Sequence, residues 1–590
     1  MTGRSLRLSL ETLLYAAALI LGMGLRLGRL DQPPLNEAEA VPALQAAASS
    51  SGGSAFWVED QEASPVSAAY HTLTALLFEA APAANAAARV IPAIAGTALV
   101  LVPCLARRRL GRGPALGMSF LLAISPSLVT SARTAGGTSL ATLGLLLAVL
   151  LILREEGDGG GQNRMLGAFA AAALALASGP SVFGGLLGLG LGVLAARLIW
   201  GPQTVPLLVT EEPDRRRAAL WTGLAVLALL ATGFGLMPGT VSALPESLAT
   251  WLVGWGRSGP VHPLTPLLAL PIYEPLLLIF GIVGAVLLLR ERDRLGRLAV
   301  GWAAAALLMA LVYPSRQVAD LIWAALPLSY LGGRALATVA DRVSRGWSWQ
   351  AHGGLVFVLA ILGAVAYFQL AGYAMGWGPG LYVDQRGLSL AVAAIIVILS
   401  LVLVVLFGMG WGWPLALEAA GLAGAAGLLL ACLSAVWHLN FAASAFGASE
   451  LWREQSYGPG LPLMVQTLED ISQAHTGRTD AIPVEFRGEL PAGLAWALRA
   501  FPEAETADPA SVPEIVLAPA GSDPTGLRAD YLGQEILIGE RWGWTGVLPP
   551  DPVTWFILRQ SVTLPDHWLL LVREDIASLG SVTGEPGVTP

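Results

Sequence analysis

Apolar windows recur between positions 10 and 438, most of them about 18 to 25 residues long and so able to cross a bilayer as helices. Short turns rich in glycine, proline and arginine separate them. The pattern predicts about thirteen spans, at 10–27, 89–106, 114–132, 138–153, 165–178, 181–200, 218–236, 263–289, 298–312, 319–336, 355–373, 388–407 and 414–438. Arg4 and Arg7 precede the first window as they would in a signal peptide. Its apolar core is longer than a signal region, however, and no small-residue cleavage site follows at once. It is expected to be a retained span with a cytoplasmic N-terminus.

Two stretches depart from this rhythm. Residues 68–80 (AAYHTLTALLFEA) are too short to span and end on Glu79 and Ala80, so positions 67–80 are expected to form an amphipathic helix in the outer interface. From Asn440 onward the apolar runs shorten and Pro, Gly and Asp interrupt them. There 463–467, 482–486, 514–517 and 568–572 read as strands, and 468–475 and 492–501 as helices. The fold class that follows is an α-helical polytopic membrane protein over 1–439, with a small extracytoplasmic α/β domain at 440–577. A loose tail, 578–590, closes the chain.

Composition sharpens this reading. Of 590 residues, 55% are apolar and only 13% charged, about half the charge of an ordinary soluble domain. All 34 basic residues are arginine. Their clusters, around 107–112, 215–217, 290–297 and 342–345, fall on one predicted side, which the positive-inside bias makes cytoplasmic. An odd number of spans then puts the C-terminal domain outside. The net charge of −8 hides an asymmetry: residues 440–590 hold 20 acidic and 8 basic side chains, leaving 22 acidic and 26 basic in the rest. Neither part has the basic exposed face that nucleic-acid binding needs. Cys104 and Cys432 lie in separate apolar runs and make no metal or disulfide motif.

Candidate chemistry gathers in the first outer loop, 29–66. Asp31, Glu37, Glu39, Glu59, Asp60 and Glu62 collect there in a chain otherwise poor in charge. Carboxylates beside a span are costly unless solvated, paired or used, which makes this cluster a candidate site. Arg29, Arg89, Arg133, Arg257 and Arg316 fall at predicted outer ends. They suit either lipid-headgroup anchoring or the binding of an anion.

The order of these motifs resembles a known group. LNEAEAVPALQAA after the first span, then SPVSAAYHTLTALLFEA led by Pro65, a second span closing on ARRRLGR, and SPSLVTSARTAGG are similar to the polytopic GT-C glycosyltransferases. Protein O-mannosyltransferases and the aminoarabinose transferase of lipid A belong to that superfamily. The sharpest likeness is to the flippase activity-associated proteins of archaeal N-glycosylation, through PLLALPIYEPLLLIFGIVGAVLLLRER, YPSRQVADLIWAALPLSYLGG and two C-terminal stretches. The resemblance implies a polyprenyl-phosphate-linked sugar as donor, a lipid or protein acceptor, and chemistry on the outer face. Two departures stand out. The loop pair reads Asn36-Glu37 where the family has Asp-Glu, and Thr134, Ala135, Gly136 and Gly137 follow Arg133 where the family has an acidic residue.

Such a transfer needs a base for the acceptor proton and cations for the leaving phosphate. Glu37 is the first candidate base, with Glu39 and Asp60 behind it. Arg133 and Arg316 are the candidate phosphate binders. Asn36, Pro65 and His71 complete the loop motif, His71 as a packed rather than ligating side chain. No cofactor is indicated, although clustered carboxylates could hold a divalent cation. With Asn36 in the pair, no metal ligands are assigned. The function expected is a membrane glycosyltransferase. A catalytically degenerate relative that binds lipid-linked glycans or assists cell-surface glycan assembly is the alternative, and a transporter the second.

Overall fold

The computed structural model describes residues 9–50, 65–153, 161–202, 213–259, 261–346, 348–376, 384–442, 450–501, 504–506, 512–522 and 527–580. Asp60 and the other acidic residues of 51–64 lie outside them.

The helices of the membrane part are α1 (Leu10–Leu27), α2 (Glu37–Ser50), α3 (Ala68–Ala80), α4 (Asn85–Leu105), α5 (Arg112–Ile124), α6 (Pro126–Ala132), α7 (Thr138–Leu153), α8 (Gly161–Leu176) and α9 (Ser181–Trp200). They continue with α10 (Pro213–Ala231), α11 (Ala243–Val253), α12 (Thr265–Tyr273), α13 (Pro275–Arg290), α14 (Arg294–Val312), α15 (Ile322–Gly346), α16 (Gly354–Met375), α17 (Asp384–Trp411) and α18 (Trp413–Asn440). Among the described residues, seven helices are long and apolar enough to cross a membrane, and two bent pairs bring the number to nine. The four other expected spans are also helical, as α7, α8, α10 and α15. α7 and α8 are short, at 16 residues each, and arginines lower the hydropathy of α10 and α15. This is a multi-pass membrane protein.

A broken helix inside a bundle frees backbone groups that lipid cannot satisfy. α5 and α6 meet at 59°, and α12 and α13 at 94°. Arg26, fully buried on α1, donates to the carbonyls of Leu122 (2.7 Å) and Ala123 (2.9 Å) at the end of α5. Glu274, the residue between α12 and α13, accepts from the Ser125 hydroxyl (2.5 Å) and the Ser127 N–H (2.8 Å) at the start of α6. A cation therefore meets a helix C-terminus and an anion a helix N-terminus, the pairing each end favours. The membrane part holds these two ionisable groups where the breaks require them. α5 also passes α15 closely: a Cβ on Gly117 would stand 2.8 Å from the Gly333 carbonyl oxygen.

α3 forms with the expected boundaries. Most of it is buried by protein, with Ala68, Ala69, Tyr70, His71, Thr72, Thr74, Ala75 and Phe78 all enclosed. It packs on α2, α4 and α10, so its inner face meets protein throughout.

The C-terminal domain carries α19 (Gly460–Thr476), α20 (Ala492–Leu498), α21 (Pro552–Leu558) and α22 (Glu574–Gly580) around β1 (Gln455–Tyr457), β2 (Val484–Phe486), β3 (Ala504–Thr506), β4 (Ile515–Pro519), β5 (Tyr531–Trp542) and β6 (Thr563–Arg573). The strand order is β1-β5-β6-β4-β2-β3. β2 pairs parallel with β3 and β4, and the remaining pairs are antiparallel. Residues 463–467, expected as a strand, are instead the first half of α19. Pro459 and Gly460 open that helix, and Leu461, Met464 and Leu468 recur at helical spacing on its buried face. The longest strand, β5, escapes notice because Gly533, Gln534, Glu535 and Gly539 break up its apolar positions. One apolar cluster runs from Leu35, Ala43 and Tyr70 through Tyr457, Met464 and Trp496 to Ile515 and Trp568. The outer loop and the soluble domain thus share a core.

Candidate functional site

The acidic loop closes on itself first. Asn36 precedes α2, and its side-chain oxygen accepts from the Glu39 N–H (3.1 Å), while the Glu39 carboxylate accepts from the Asn36 N–H (3.3 Å). This reciprocal pair is a capping box with asparagine in the N-cap position. Glu39, 1% exposed, also takes both arms of Arg89 at 2.8 and 2.7 Å and the Ala135 N–H at 3.0 Å. Four donors occupy its two oxygens, about the capacity of a carboxylate. Burial alone would raise its pKa. The charge and hydrogen bonds of Arg89, with smaller help from Arg453 and Ala135, bring it below the ordinary value instead. Arg89 is equally saturated, since it donates further to the carbonyls of Leu30 (3.1 Å), Pro33 (2.7 Å) and Pro34 (3.4 Å).

Glu37 points the other way, into the C-terminal domain. Its carboxylate accepts the N–H groups of Ala492 (2.7 Å) and Gly493 (3.1 Å) at the start of α20, and the Tyr457 hydroxyl. A second tie lies nearby: the Tyr273 hydroxyl donates to Glu450 at 2.6 Å, and Arg559 stands 3.6 Å from the same carboxylate. Arg133, buried at the end of α6, donates to the carbonyls of Leu25, Arg26, Gly28, Arg29 and Asn440 and lies 4.5 Å over the Phe441 ring. It caps the C-terminus of α1, so no arm of its guanidinium Nη pair is left for a phosphate. His71 is buried, with Nε2 3.0 Å from the Ser49 hydroxyl, and burial lowers its pKa to about 4. Pro65 lies at the edge of the described residues, two positions before the Ser67 cap of α3.

A cavity of about 350 Å³ beside the loop is lined by Asp31, Asn85, Trp496 and Arg499, and a larger concave surface lies elsewhere at the same end of the bundle. A cavity of about 520 Å³ opens between the start of α9, the helix α11, the end of α14 and the start of α15. Glu246, Arg257, Tyr313, Gln317, Asp320 and Trp323 supply its polar and aromatic lining. Trp251 and Tyr313 stack at 6.2 Å with their planes 14° apart, and Trp255 meets both edge-on. Arg316 is adjacent: its guanidinium donates to the Val261 carbonyl at 3.3 Å and holds the loop that carries Arg257. Asp320 closes a short 3-10 turn, Val318–Leu321, as partner of Gln317 in a capping box. Burial pushes its pKa up to about 6, against opposing pulls from the Gln317 N–H and Arg316.

Sequence reasoning found Arg257 and Arg316 but not Glu246, Asp320 or Arg453. Arg453 is 9% exposed, lies within electrostatic reach of Glu39, Arg89 and Glu450, and its guanidinium makes no hydrogen bond among the described residues. The signal available for Asp320 was the Gln317-x-x-Asp320 helix start, which marks a cap rather than chemistry. No group of three or more His, Cys, Asp or Glu side chains able to hold a metal occurs among the described residues.

ArnT from Cupriavidus metallidurans, an aminoarabinose transferase of the GT-C superfamily, superimposes on 96% of this chain and 98% of its own. The TM-score is 0.53 at 16% identity for its undecaprenyl phosphate complex, and 0.52 at 17% identity, with the same coverage, for its apo state. The chain has the GT-C fold. The archaeal oligosaccharyltransferase AglB from Archaeoglobus fulgidus is more distantly similar, over 86% of this chain and 69% of its own, with a TM-score of 0.41 at 12% identity. No protein-family model matches the chain, and no curated protein matches its sequence. The likeness to the flippase activity-associated proteins therefore rests on the sequence motifs, while the structural likeness to ArnT covers 96% of the chain.

Proposed function

We propose that the protein is a membrane glycosyltransferase that moves a sugar from a polyprenyl-phosphate-linked donor to a lipid or protein acceptor at the outer membrane face. The observation that carries this reading is the cavity at the end of the bundle where the acidic loop lies. It joins a cation, Arg257, to two carboxylates and an aromatic shelf, the groups needed to hold a phosphate, a sugar face and an acceptor proton. The GT-C fold, found also in a protein bound to undecaprenyl phosphate, agrees with it. In this reading Glu37, Glu39 and Arg133 hold the outer loop and the end of α1 in place, and Arg257 replaces Arg133 as the phosphate-binding arginine. The test is purified protein in lipid nanodiscs with radiolabelled polyprenyl-phosphate sugars. Transfer or donor hydrolysis by wild type is expected, with donor binding weakened about ten- to a hundredfold in Arg257→Ala, the worth of a charged hydrogen bond. Neither binding nor turnover across a panel of donors would reject the reading.

Outer placement of the site is part of the proposal and follows from the arginine asymmetry. Cysteines placed at Gly259 and Ser522 should react with an impermeant thiol reagent on intact cells, and one at Ser344 should not. The reverse pattern would invert the topology.

A second reading, binding of a lipid-linked glycan without transfer, is favoured by Asn36 and by the saturation of Glu37 and Glu39. It predicts donor binding with no turnover.

A further inference from the structure

Among the described residues Glu37 and Glu39 are occupied, which turns attention to carboxylates on other elements. Two carboxylates line the cavity. Glu246 is exposed at its rim, whereas Asp320 is half-buried and shares the wall with Ala306, Met309 and Trp323, which are buried. The Gln317 N–H donates to Asp320 Oδ2 at 2.9 Å. Its other oxygen makes no hydrogen bond among the described residues. A second polar group in the same wall is also without a partner there: the Trp323 indole N–H, on a side chain only 3% exposed. A fixed carboxylate with one oxygen held and one free, beside an unmet donor, is what a substrate hydroxyl would complete.

We propose that Asp320 is the catalytic base of this cavity. The proposal rests on the transferase reading. The acceptor hydroxyl oxygen bonds to the anomeric carbon, and the bond from that carbon to the phosphate oxygen breaks with its electron pair. Polyprenyl phosphate leaves carrying that pair, and the hydroxyl proton passes to Asp320 Oδ1. Arg257, in the same cavity, faces the added negative charge on the phosphate.

Burial raises the Asp320 pKa to about 6, near the pH at which a base must work. The charged or titratable groups around it are Arg316 and Tyr313 on its own connection, Glu246 on α11 and Arg257 beyond it. Of the helices packed against its turn, α6 has no ionisable residue, α12 has only Tyr273, and α14 and α15 carry their arginines toward the far end.

The experiment measures transfer and donor binding by the full chain in nanodiscs between pH 5 and 8, for wild type, Asp320→Asn and Asp320→Glu. Asparagine keeps an oxygen for the Gln317 N–H, so the turn survives. Expected are a 10²- to 10⁴-fold loss of turnover in Asp320→Asn and unchanged donor binding. An acid limb near pH 6 is expected in wild type and should vanish in Asp320→Asn, and Asp320→Glu should recover part of the rate. Undiminished transfer by Asp320→Asn with its acid limb intact overturns this assignment alone. Donor binding without transfer by wild type overturns both the assignment and the transferase reading.

Discussion

Arg89 and Glu39 meet as a bidentate pair at 2.8 and 2.7 Å, each side chain 2% exposed. The pair pins the outer loop to the start of α4 and, through Ala135, to the turn after α6. A buried pair of this kind is weak evidence for net stabilisation, since its desolvation is expensive, but removing one partner strands the other charge.

Glu39→Leu should therefore cost about 3–5 kcal/mol, because Arg89 would remain buried and unpaired. Arg89→Met together with Glu39→Leu should cost clearly less than Glu39→Leu alone. Thermal unfolding in detergent, followed by the fluorescence of the tryptophans, measures both. Since Glu39 has a lowered pKa, its contribution is present above the unfolded carboxylate value and is lost as pH falls through the folded one.

Asn36 caps α2, so Asn36→Asp should leave stability nearly unchanged, the two residues being equivalent N-caps. Asn36→Ala should lose about 0.5–2 kcal/mol. The same thermal measurement reads this. A gain of transfer in Asn36→Asp, without change in stability, would return the chemistry to the loop.

Glu37 ties the loop to α20 of the soluble domain. Removing it in Glu37→Ala should speed hydrogen exchange at the Ala492 and Gly493 amides by about tenfold or more, since a charge-assisted hydrogen bond is worth roughly 1.5–3 kcal/mol. Amides inside β6 should keep their protection. Unchanged exchange at positions 492 and 493 would show that the carboxylate does not hold the helix start in solution.

His71 has a folded pKa of about 4, below the unfolded value of roughly 6.5. Between those values the unfolded chain binds the extra proton, so stability falls as pH drops from about 6.5 toward 4, by up to about 3 kcal/mol. His71→Gln should flatten that part of the profile of thermal midpoint against pH. An identical profile in the variant would mean that another group governs the acid loss.

The capping box at Asn36 also explains why the departure from the family's Asp-Glu pair was legible only as a loss. Position 36 reads as a missing carboxylate in sequence, yet asparagine serves the N-cap as well as aspartate does. Similarly, Arg133 looked like a free cation at an outer turn. Backbone carbonyls at the end of α1, more than a hundred positions earlier in the chain, absorb its donors, and no local pattern announces them.

What the sequence by itself determined is the succession of apolar helices, their boundaries within about five residues except at the end of α15, which runs ten residues past the expected 336, the change of character after Asn440, and the end of the bundle that gathers carboxylates. Those features follow from hydrophobic period and length, which are local quantities. Tertiary structure alone decided which carboxylates are occupied and which face a cavity. Glu37 and Glu39 are bound by groups from α20, α4 and the turn after α6, whereas Asp320 reaches the cavity because α9, α11, α14 and α15 converge around it. The availability of a side chain depends on partners brought from distant positions by packing, and spacing along one segment carries no record of them.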